Sequence, residues 1–244
     1  MPSTDEKLGQ IALTPAIHSV DDVIAVLRLL DGELRNEDGL KWFNLLYLKV
    51  SEGVRSQPQP IHWENAAWLE RLDVQFAKLY FSAVADWFGN RPQVARSWLP
   101  LFESRNRRGI LRVQLAFAGI NAHINHDLPI ALVQTGKEMR ITPKRGTPEF
   151  RDFEKVNGVL EAAQENAKRY IATGIVGLID EDLGQLDDRI ANWSVRKARE
   201  TAWSNGEILW RLNRATAVRD DFLVNLDRLV SLASRGFLVP VKTT

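Results

Sequence analysis

The chain contains no cysteine. Disulfide bonds, thiolate catalysis, cysteine-ligated zinc and iron–sulfur clusters are therefore excluded. Net charge is almost absent as well, because 32 Lys and Arg residues nearly balance 31 Asp and Glu residues and leave +1. General nucleic-acid binders usually carry a strong basic excess. We therefore expect no nucleic-acid partner.

Long apolar runs are also missing. No stretch of about 18 uncharged apolar residues occurs, so the sequence predicts no transmembrane segment. The N-terminal residues are polar and acidic and lack the basic and apolar regions of a secretory signal, so we expect a cytoplasmic protein. Phosphate-binding loops, dinucleotide fingerprints, H-E-x-x-H zinc helices and the serine hydrolase elbow do not occur either.

Helix signals dominate the rest of the sequence. The chain is 45% hydrophobic and 26% charged, which is typical of a globular protein with a sizeable core. Alternation of β-branched residues is nearly absent, so no sheet is predicted. The pattern predicts an all-α fold, a single-domain multi-helix bundle over residues 19–238 after a flexible segment at 1–18. Its central helix, at about 109–126, is expected to be buried.

Apolar periodicity and capping residues set the expected limits of the helices. We predict helices over about 19–35, 40–54, 63–88, 109–126, 147–173, 176–190, 194–213 and 217–235. A further helix is expected to start near Pro92 and to be kinked or ended by Pro100. Residues 134–146 are expected to form a charged loop. Because a residue before proline disfavours the α conformation, Leu128–Pro129 predicts a stop near His126, with Asp127 capping a short helix that follows.

The segment 110–131 combines apolar and polar residues in an unusual way. Its apolar residues spread over more than half of the helix circumference, which indicates a buried helix. Gln114, Asn121 and Asn125 fall within about 40° of one another in the middle of that apolar arc. An unpaired buried amide costs about 1–3 kcal/mol, so each of these side chains is expected to have a hydrogen-bond partner.

His123 and Asp127 lie four residues apart, so their side chains are neighbours on one helix face. That spacing can supply two ligands to a single divalent metal, or a carboxylate that orients an imidazole base. The structural alternative is that His123 is a satisfied core residue and Asp127 a helix cap. The sequence leaves these interpretations open.

Four residues nearer the C-terminus are further candidates for ligand contacts. Asp152 could supply a second carboxylate opposite His123, and Asn157 lies close to it in the same predicted helix; a solvated helix face is the alternative. Arg199 and Trp203 are four residues apart, which allows a guanidinium to stack on an indole or to clamp an anion. Structural packing is the alternative for this pair.

Several blocks of sequence carry a resemblance to a known family. They are FNLLYLKVSEGV (43–54), LDVQFAKLYFSAV (72–84), WLPLF (98–102), GINAHINHDLPIALV (119–133), DFEKVN (152–157) and the Arg199–Trp203 stretch. Together they resemble an uncharacterised bacterial family, domain of unknown function 5995. The resemblance implies a single all-α domain and marks Asn121, His123, Asn125 and Asp127 as a signature. It implies no particular reaction.

These observations lead to three hypotheses of function. The first is a hydrolase-like enzyme that acts on a small, partly apolar molecule, with His123 as base or metal ligand and Asp127 as its partner. In it, Asn121 and Asn125 orient the substrate, and the remaining contacts come from Gln114, Asp152, Asn157, Arg199 and Trp203. The second is a non-catalytic protein that binds a small hydrophobic ligand. The third is a structural protein whose polar core specifies packing.

Overall fold

The computed structural model describes residues 2–13, 16–56, 62–89, 93–173 and 194–240, and side chains within 161–173 lie outside that description. In these ranges the chain forms helices and connections without any strand, which confirms the predicted all-α multi-helix fold. The helices are α1 (Thr4–Leu13), α2 (Val20–Glu33), α3 (Leu40–Arg55), α4 (Ala66–Phe88), α5 (Leu99–Ser104), α6 (Arg112–Ala122), α7 (Leu128–Met139), α8 (Pro148–Thr173), α9 (Val195–Arg211) and α10 (Thr216–Phe237).

Two predicted helix starts are confirmed by their caps. Ser19 and Asp22 form a capping box at α2, in which the Ser19 hydroxyl accepts from the Asp22 N–H at 3.2 Å and the Asp22 carboxylate accepts from the Ser19 N–H at 3.0 Å. At α8, the Thr147 hydroxyl accepts from the Phe150 N–H at 3.3 Å, and Pro148 is the first helical residue. The helix predicted at 176–190 lies outside the described residues.

The N-terminal region differs from its prediction. The sequence predicts a flexible segment over residues 1–18, whereas the structure has helix α1 over Thr4–Leu13. Leu8 is fully buried, and α1 lies against α4, where Gly9 approaches Phe88 closely. The apolar contacts of one helix face therefore hold this polar segment against the bundle.

Two connections also differ from their predictions. Residues 93–98 form turns, and the helix predicted from Pro92 begins instead at Leu99, with Pro100 in its first turn. A proline is well placed there because the first N–H groups of a helix have no acceptor within the helix. Residues 134–139 belong to α7 rather than to a loop. Gly136 lets α7 pack closely, because a Cβ there would lie 2.9 Å from the Trp210 ring on α9.

The centre of the bundle is one continuous helical segment made of α6, a π-helical turn at His123–Asp127, and α7. The Leu128 N–H donates to the carbonyl of His123, five residues back, which defines the wider turn. Pro129 lies in the first turn of α7, where its missing N–H costs no helical bond. The predicted stop near His126 is therefore wrong, and the Asp127 side chain does not cap α7.

Neighbouring helices enclose this central segment. Helix α6 packs between α3 and α10, while α7 packs against α4 and α9. Gly119 allows the close approach of α3, because a Cβ at this position would lie 2.4 Å from Cγ of Phe43. The prediction of a buried central helix is confirmed. Across the described ranges, none of the helices has both the length and the apolar character needed to span a bilayer.

Candidate functional site

The π-helical turn places His123 and Asp127 against each other in the protein interior. His123 Nδ1 lies 3.0 Å from Asp127 Oδ2, and the two residues are 3% and 2% exposed. The same oxygen accepts a hydrogen bond from Trp98 Nε1 at 3.1 Å, while Oδ1 lies 2.7 Å from His126 Nδ1. One buried carboxylate therefore bonds to three ring nitrogens. Single π-helical turns are often found at functional sites.

Asp127 is ionised in this setting. Burial raises the pKa of its carboxyl, but the hydrogen bonds and charges of His123 and His126 outweigh that effect and bring the pKa below its usual range. A carboxylate that accepts several hydrogen bonds keeps its charge even when it is buried. The negative charge of Asp127 is thus a fixed feature of the site at neutral pH.

His126 connects this carboxylate to a second one. Its Nε2 lies 3.5 Å from Asp227 Oδ1, and Asp227 also accepts the N–H groups of Arg96 and Ser97 at 2.9 and 2.8 Å. Burial lowers the pKa of His126, but the bond to Asp127 and the charges of both carboxylates raise it above the ordinary value. The two carboxylates therefore stabilise the protonated form of His126, whose ring joins the π-helical turn to α10 and to the turns before α5.

His123 behaves in the opposite way. Burial lowers the pKa of its imidazole, and the bond and charge of Asp127 only partly offset that effect. The imidazole is therefore neutral at neutral pH, and the network assigns its proton to Nδ1, which donates to Asp127. Nε2 is then a bare acceptor, and it is buried without a hydrogen-bond partner among the described residues. A carboxylate-oriented imidazole with a free Nε2 suits a general base or a metal ligand.

Aromatic rings surround the His123 imidazole. Phe76 stacks on it with ring centroids 3.5 Å apart and planes 7° apart, and the Tyr47 ring lies 4.9 Å away. Phe43, Trp98 and Tyr80 lie within 5.7–6.1 Å. The Tyr47 hydroxyl is the second buried polar atom here that lacks a hydrogen-bond partner within the described part of the chain.

Asp73 adds a titratable group on the same side of α4 as Phe76, one helical turn away. Burial raises its pKa to about 6, although the charge of Arg199 opposes the shift. The charges of Asp73 and Asp127 both raise the pKa of the Tyr47 phenol, after burial as the main cause. The phenol therefore lies within electrostatic range of both carboxylates. Sequence reasoning missed Asp73; its only signal was a carboxylate within an apolar helical stretch.

The two asparagines of the signature face the other way, toward α10. Asn121 Nδ2 donates to the Val230 carbonyl and to the Ser234 hydroxyl, both at 2.9 Å. Asn125 Nδ2 donates to Asn121 Oδ1 at 2.9 Å. The buried Asn121 amide thus has its partners on α10, and the half-buried Asn125 bonds to Asn121 rather than to His123.

Gln114 also holds the C-terminal residues of the described chain against α6. Its Nε2 donates to the carbonyls of Phe237 and Val239, both at 2.8 Å, and its Oε1 accepts the Leu111 N–H at 2.7 Å. Both the nitrogen and the oxygen of the Gln114 side-chain amide therefore form hydrogen bonds. The amide fastens the start of α6 to the end of α10.

Arg199 and Asn157, both predicted as ligand contacts, bond to each other. Arg199 Nε donates to Asn157 Oδ1 at 2.7 Å, and Nη2 donates to the Phe153 carbonyl at 2.9 Å. The guanidinium also lies over the Phe153 ring, 3.9 Å from its centroid. Burial lowers the pKa of Arg199 to about 9, with Asp73 as the opposing charge. Asp73 is thus the carboxylate whose charge acts on the buried Arg199 guanidinium.

Asp152 and Trp203 hold helices together. Asp152 is fully buried and accepts the N–H groups of Glu64 and Asn65 at 3.0 and 2.7 Å, which fixes the residues before α4 to α8. Trp203 is fully buried as well, and its ring centroid lies 4.8 Å from that of Phe153 on α8, while its Nε1 donates to Glu207 of its own helix at 3.1 Å. The two carboxylate oxygens of Asp152 thus bind the backbone before α4, and Asp152 is not the second carboxylate expected opposite His123.

The donor set gives limited support to a metal at this site. Among the described residues, no three His, Cys, Asp or Glu side chains are placed to hold one ion. Within the pair, His123 Nδ1 and both Asp127 oxygens already take part in hydrogen bonds. Nε2 of His123 is the one atom of the pair left to bind a ligand.

Comparison with known proteins agrees with the resemblance seen in the sequence. Residues 20–240 match the sequence model of DUF5995, which is described as a family of unknown function. No curated protein and no solved structure has significant similarity to the chain. Because the match covers most of its length, the chain belongs to this family of unknown function.

Proposed function

We propose that the protein is an enzyme that acts on a small, partly apolar molecule, with Nε2 of His123 as its general base. The observation that carries the proposal is the state of this buried imidazole: Asp127 engages Nδ1, while Nε2 has no hydrogen-bond partner among the described residues. An unpaired buried polar atom costs about 1–3 kcal/mol. A bound ligand would supply the missing bond.

The neighbouring groups suit hydrolysis. A water molecule that attacks a carbonyl carbon would give its proton to Nε2, and Asp127 would stabilise the resulting imidazolium. The same proton would then pass from Nε2 to the leaving group. The Tyr47 hydroxyl, buried and unpartnered in the described part of the chain, could donate to the oxygen that becomes negative. Asp73, whose pKa is raised to about 6, is a second group able to exchange protons.

The aromatic rings support the alternative of a non-catalytic binder. Phe43, Phe76 and Trp98 offer apolar surface around His123 that could hold a hydrophobic ligand without any reaction. In this alternative, Nε2 and the Tyr47 hydroxyl only orient the ligand. The two functions differ in one respect, which is whether the bound molecule is turned over.

Ester hydrolysis separates them. We would assay p-nitrophenyl acetate, butyrate and octanoate with the wild-type chain, with His123→Gln, and with His18→Gln as a control at an exposed histidine. The proposal expects turnover by the wild type and the control, and a loss of about 100-fold or more in His123→Gln. Circular dichroism would establish that each variant is folded, and repeating the assay with EDTA would test for a divalent metal at Nε2.

Two results would overturn the enzyme proposal. One is hydrolysis that continues unchanged in folded His123→Gln, and the other is a wild-type rate equal to that of buffer for all three esters. If p-nitrophenyl octanoate then changes the tryptophan fluorescence of the wild type but not that of His123→Gln, the protein is a non-catalytic binder of hydrophobic ligands.

A further inference from the structure

Helix α10 carries an apolar stripe that faces away from the bundle. The stripe consists of residues whose spacing alternates between four and three, namely Val218, Phe222, Asn225, Leu229, Leu232 and Gly236. This is the spacing of the two core positions of a coiled coil. On a helical wheel all six lie within about 40° of one direction. We call this set of residues the outer seam.

The outer seam lies opposite the face with which α10 joins the bundle. That inner face includes Val230, Ser231 and Ser234, all of which are buried. By contrast, Leu229 and Leu232 are 66% and 68% exposed. Two neighbouring leucines exposed to this degree, in register with a coiled-coil spacing, are unusual on the surface of a monomer.

We propose that two copies of the chain associate through their outer seams, with the two α10 helices antiparallel and a two-fold axis near Asp227. A two-fold interface requires a surface that is complementary to itself. Reversing the seam places Phe222 opposite Leu232 of the second copy and Val218 opposite Gly236 of the second copy. In each of these two seam pairs the larger side chain of one copy meets a smaller side chain of the other.

Two contacts between opposite charges beside the seam favour the antiparallel orientation and outnumber one contact between like charges, that of Arg228 with its own symmetry copy. Asp221 flanks one end of the seam and Arg235 flanks the other end on the same side. In the antiparallel pair Asp221 lies beside Arg235 of the second copy, and symmetry forms this contact twice. Arg235 pairs with Glu103 on its own chain and stays half exposed, and Asp221 is exposed. On the other flank, Leu226 meets its own symmetry copy at the axis.

Asn225 limits the strength of this association. It faces Leu229 of the second copy, and a polar residue at a core position costs stability. The α10 pair is roughly 33 Å long, which places the contact at the small end of stable interfaces. We therefore expect a dissociation constant in the micromolar range. The proposal is independent of the chemistry proposed for His123.

Sedimentation velocity of the full chain tests the interface. The wild type should be a dimer at about 100 µM, a concentration that populates even weak dimers. Leu229→Glu should weaken dimerisation by about 100-fold, and Asn225→Leu should strengthen it. Val224→Glu, at a site 47% exposed but outside the seam, is the matched control and should remain dimeric. A wild type that stays monomeric, or a dimer that survives Leu229→Glu, would overturn the proposal.

Spin labels test the orientation, which is practical because the chain has no cysteine of its own. A label on Arg228→Cys should lie close to its symmetry mate, whereas a label on Ala217→Cys should be separated from its mate by roughly 30 Å along the helix axis. Equal short distances at both positions would indicate parallel helices and would contradict the antiparallel pair.

Discussion

The Asp127 carboxylate bonds to three buried ring nitrogens, and asparagine would keep its shape while removing its charge. In Asp127→Asn, His126 loses the carboxylate whose Oδ1 lies 2.7 Å from its Nδ1. One donor, from Trp98 or from an imidazole, would also face the new amide N–H₂ group. The pKa of His126 should fall because the carboxylate is the main group that raises it.

The expected loss of stability follows from this geometry. Removing one partner of a buried ion pair costs about 3–5 kcal/mol. In a chain of 244 residues, each kcal/mol lowers the unfolding midpoint by about 2–4 °C, so we expect a decrease of about 6–20 °C. The folded pKa of Asp127 lies below 3.8, so its contribution is present above that pH and is lost as the pH falls through the folded pKa.

Thermal unfolding followed by circular dichroism measures this effect. The control is Glu37→Gln, which removes one exposed carboxylate and should change stability by less than about 0.5 kcal/mol. The difference between wild type and Asp127→Asn should be largest at neutral pH and should shrink in acid. An Asp127→Asn variant as stable as Glu37→Gln at neutral pH would refute the buried network.

Three further predictions concern stability. The folded pKa of His126 lies above 6.5, so the loss of stability caused by His126→Gln should be fully present below pH 6.5 and should shrink as the pH rises through the folded pKa. Urea unfolding of the variant and the wild type at several pH values measures this change. His123→Gln should behave in the opposite way, losing its effect as the pH falls below 6.5, because the folded pKa is lowered. Gly119→Ala should lower the free energy of unfolding by about 1–3 kcal/mol, because its Cβ would overlap the buried Phe43 ring. Gly158→Ala in α8 has open space around its Cβ and should raise the free energy of unfolding by up to about 1 kcal/mol. Equal unfolding midpoints for the two alanine variants would contradict the packing described.

Local interactions made parts of the fold predictable. The cap at Ser19 and the start of α8 at Pro148 depend on atoms only three residues apart, and both were predicted. The stop expected before Pro129 failed for a physical reason. At the π-helical turn a backbone N–H bonds to the carbonyl five residues back instead of four. A new α-helix then starts at Leu128, and Pro129 lies in its first turn instead of ending the helix.

The same distinction holds for the candidate site. The contact between His123 and Asp127 spans four residues, so their spacing alone predicts that they are neighbours. Asp227 bonds to the Ser97 N–H across 130 positions, and no pattern in a single sequence encodes such a pairing. The same is true of Tyr47, which α3 brings to the imidazole.

The buried amides illustrate a partial success. Sequence reasoning predicted that Asn121 and Asn125 need partners in an apolar surrounding, and both have them. It also grouped them with His123 as site residues, whereas the structure directs Asn121 to the Val230 carbonyl and Ser234 on α10. Polarity within a buried helix therefore predicted the requirement for hydrogen bonds but not their direction.

The protonation state of His123 is the point on which the proposed chemistry rests. Long-range ¹H–¹⁵N NMR spectra of the labelled protein can resolve its four histidines and report which nitrogen of each carries a proton. At neutral pH we predict a His123 signal with protonated Nδ1 and bare Nε2, persisting as the pH falls below 6.5. A His123 that is doubly protonated at neutral pH, or protonated at Nε2 alone, would contradict the account.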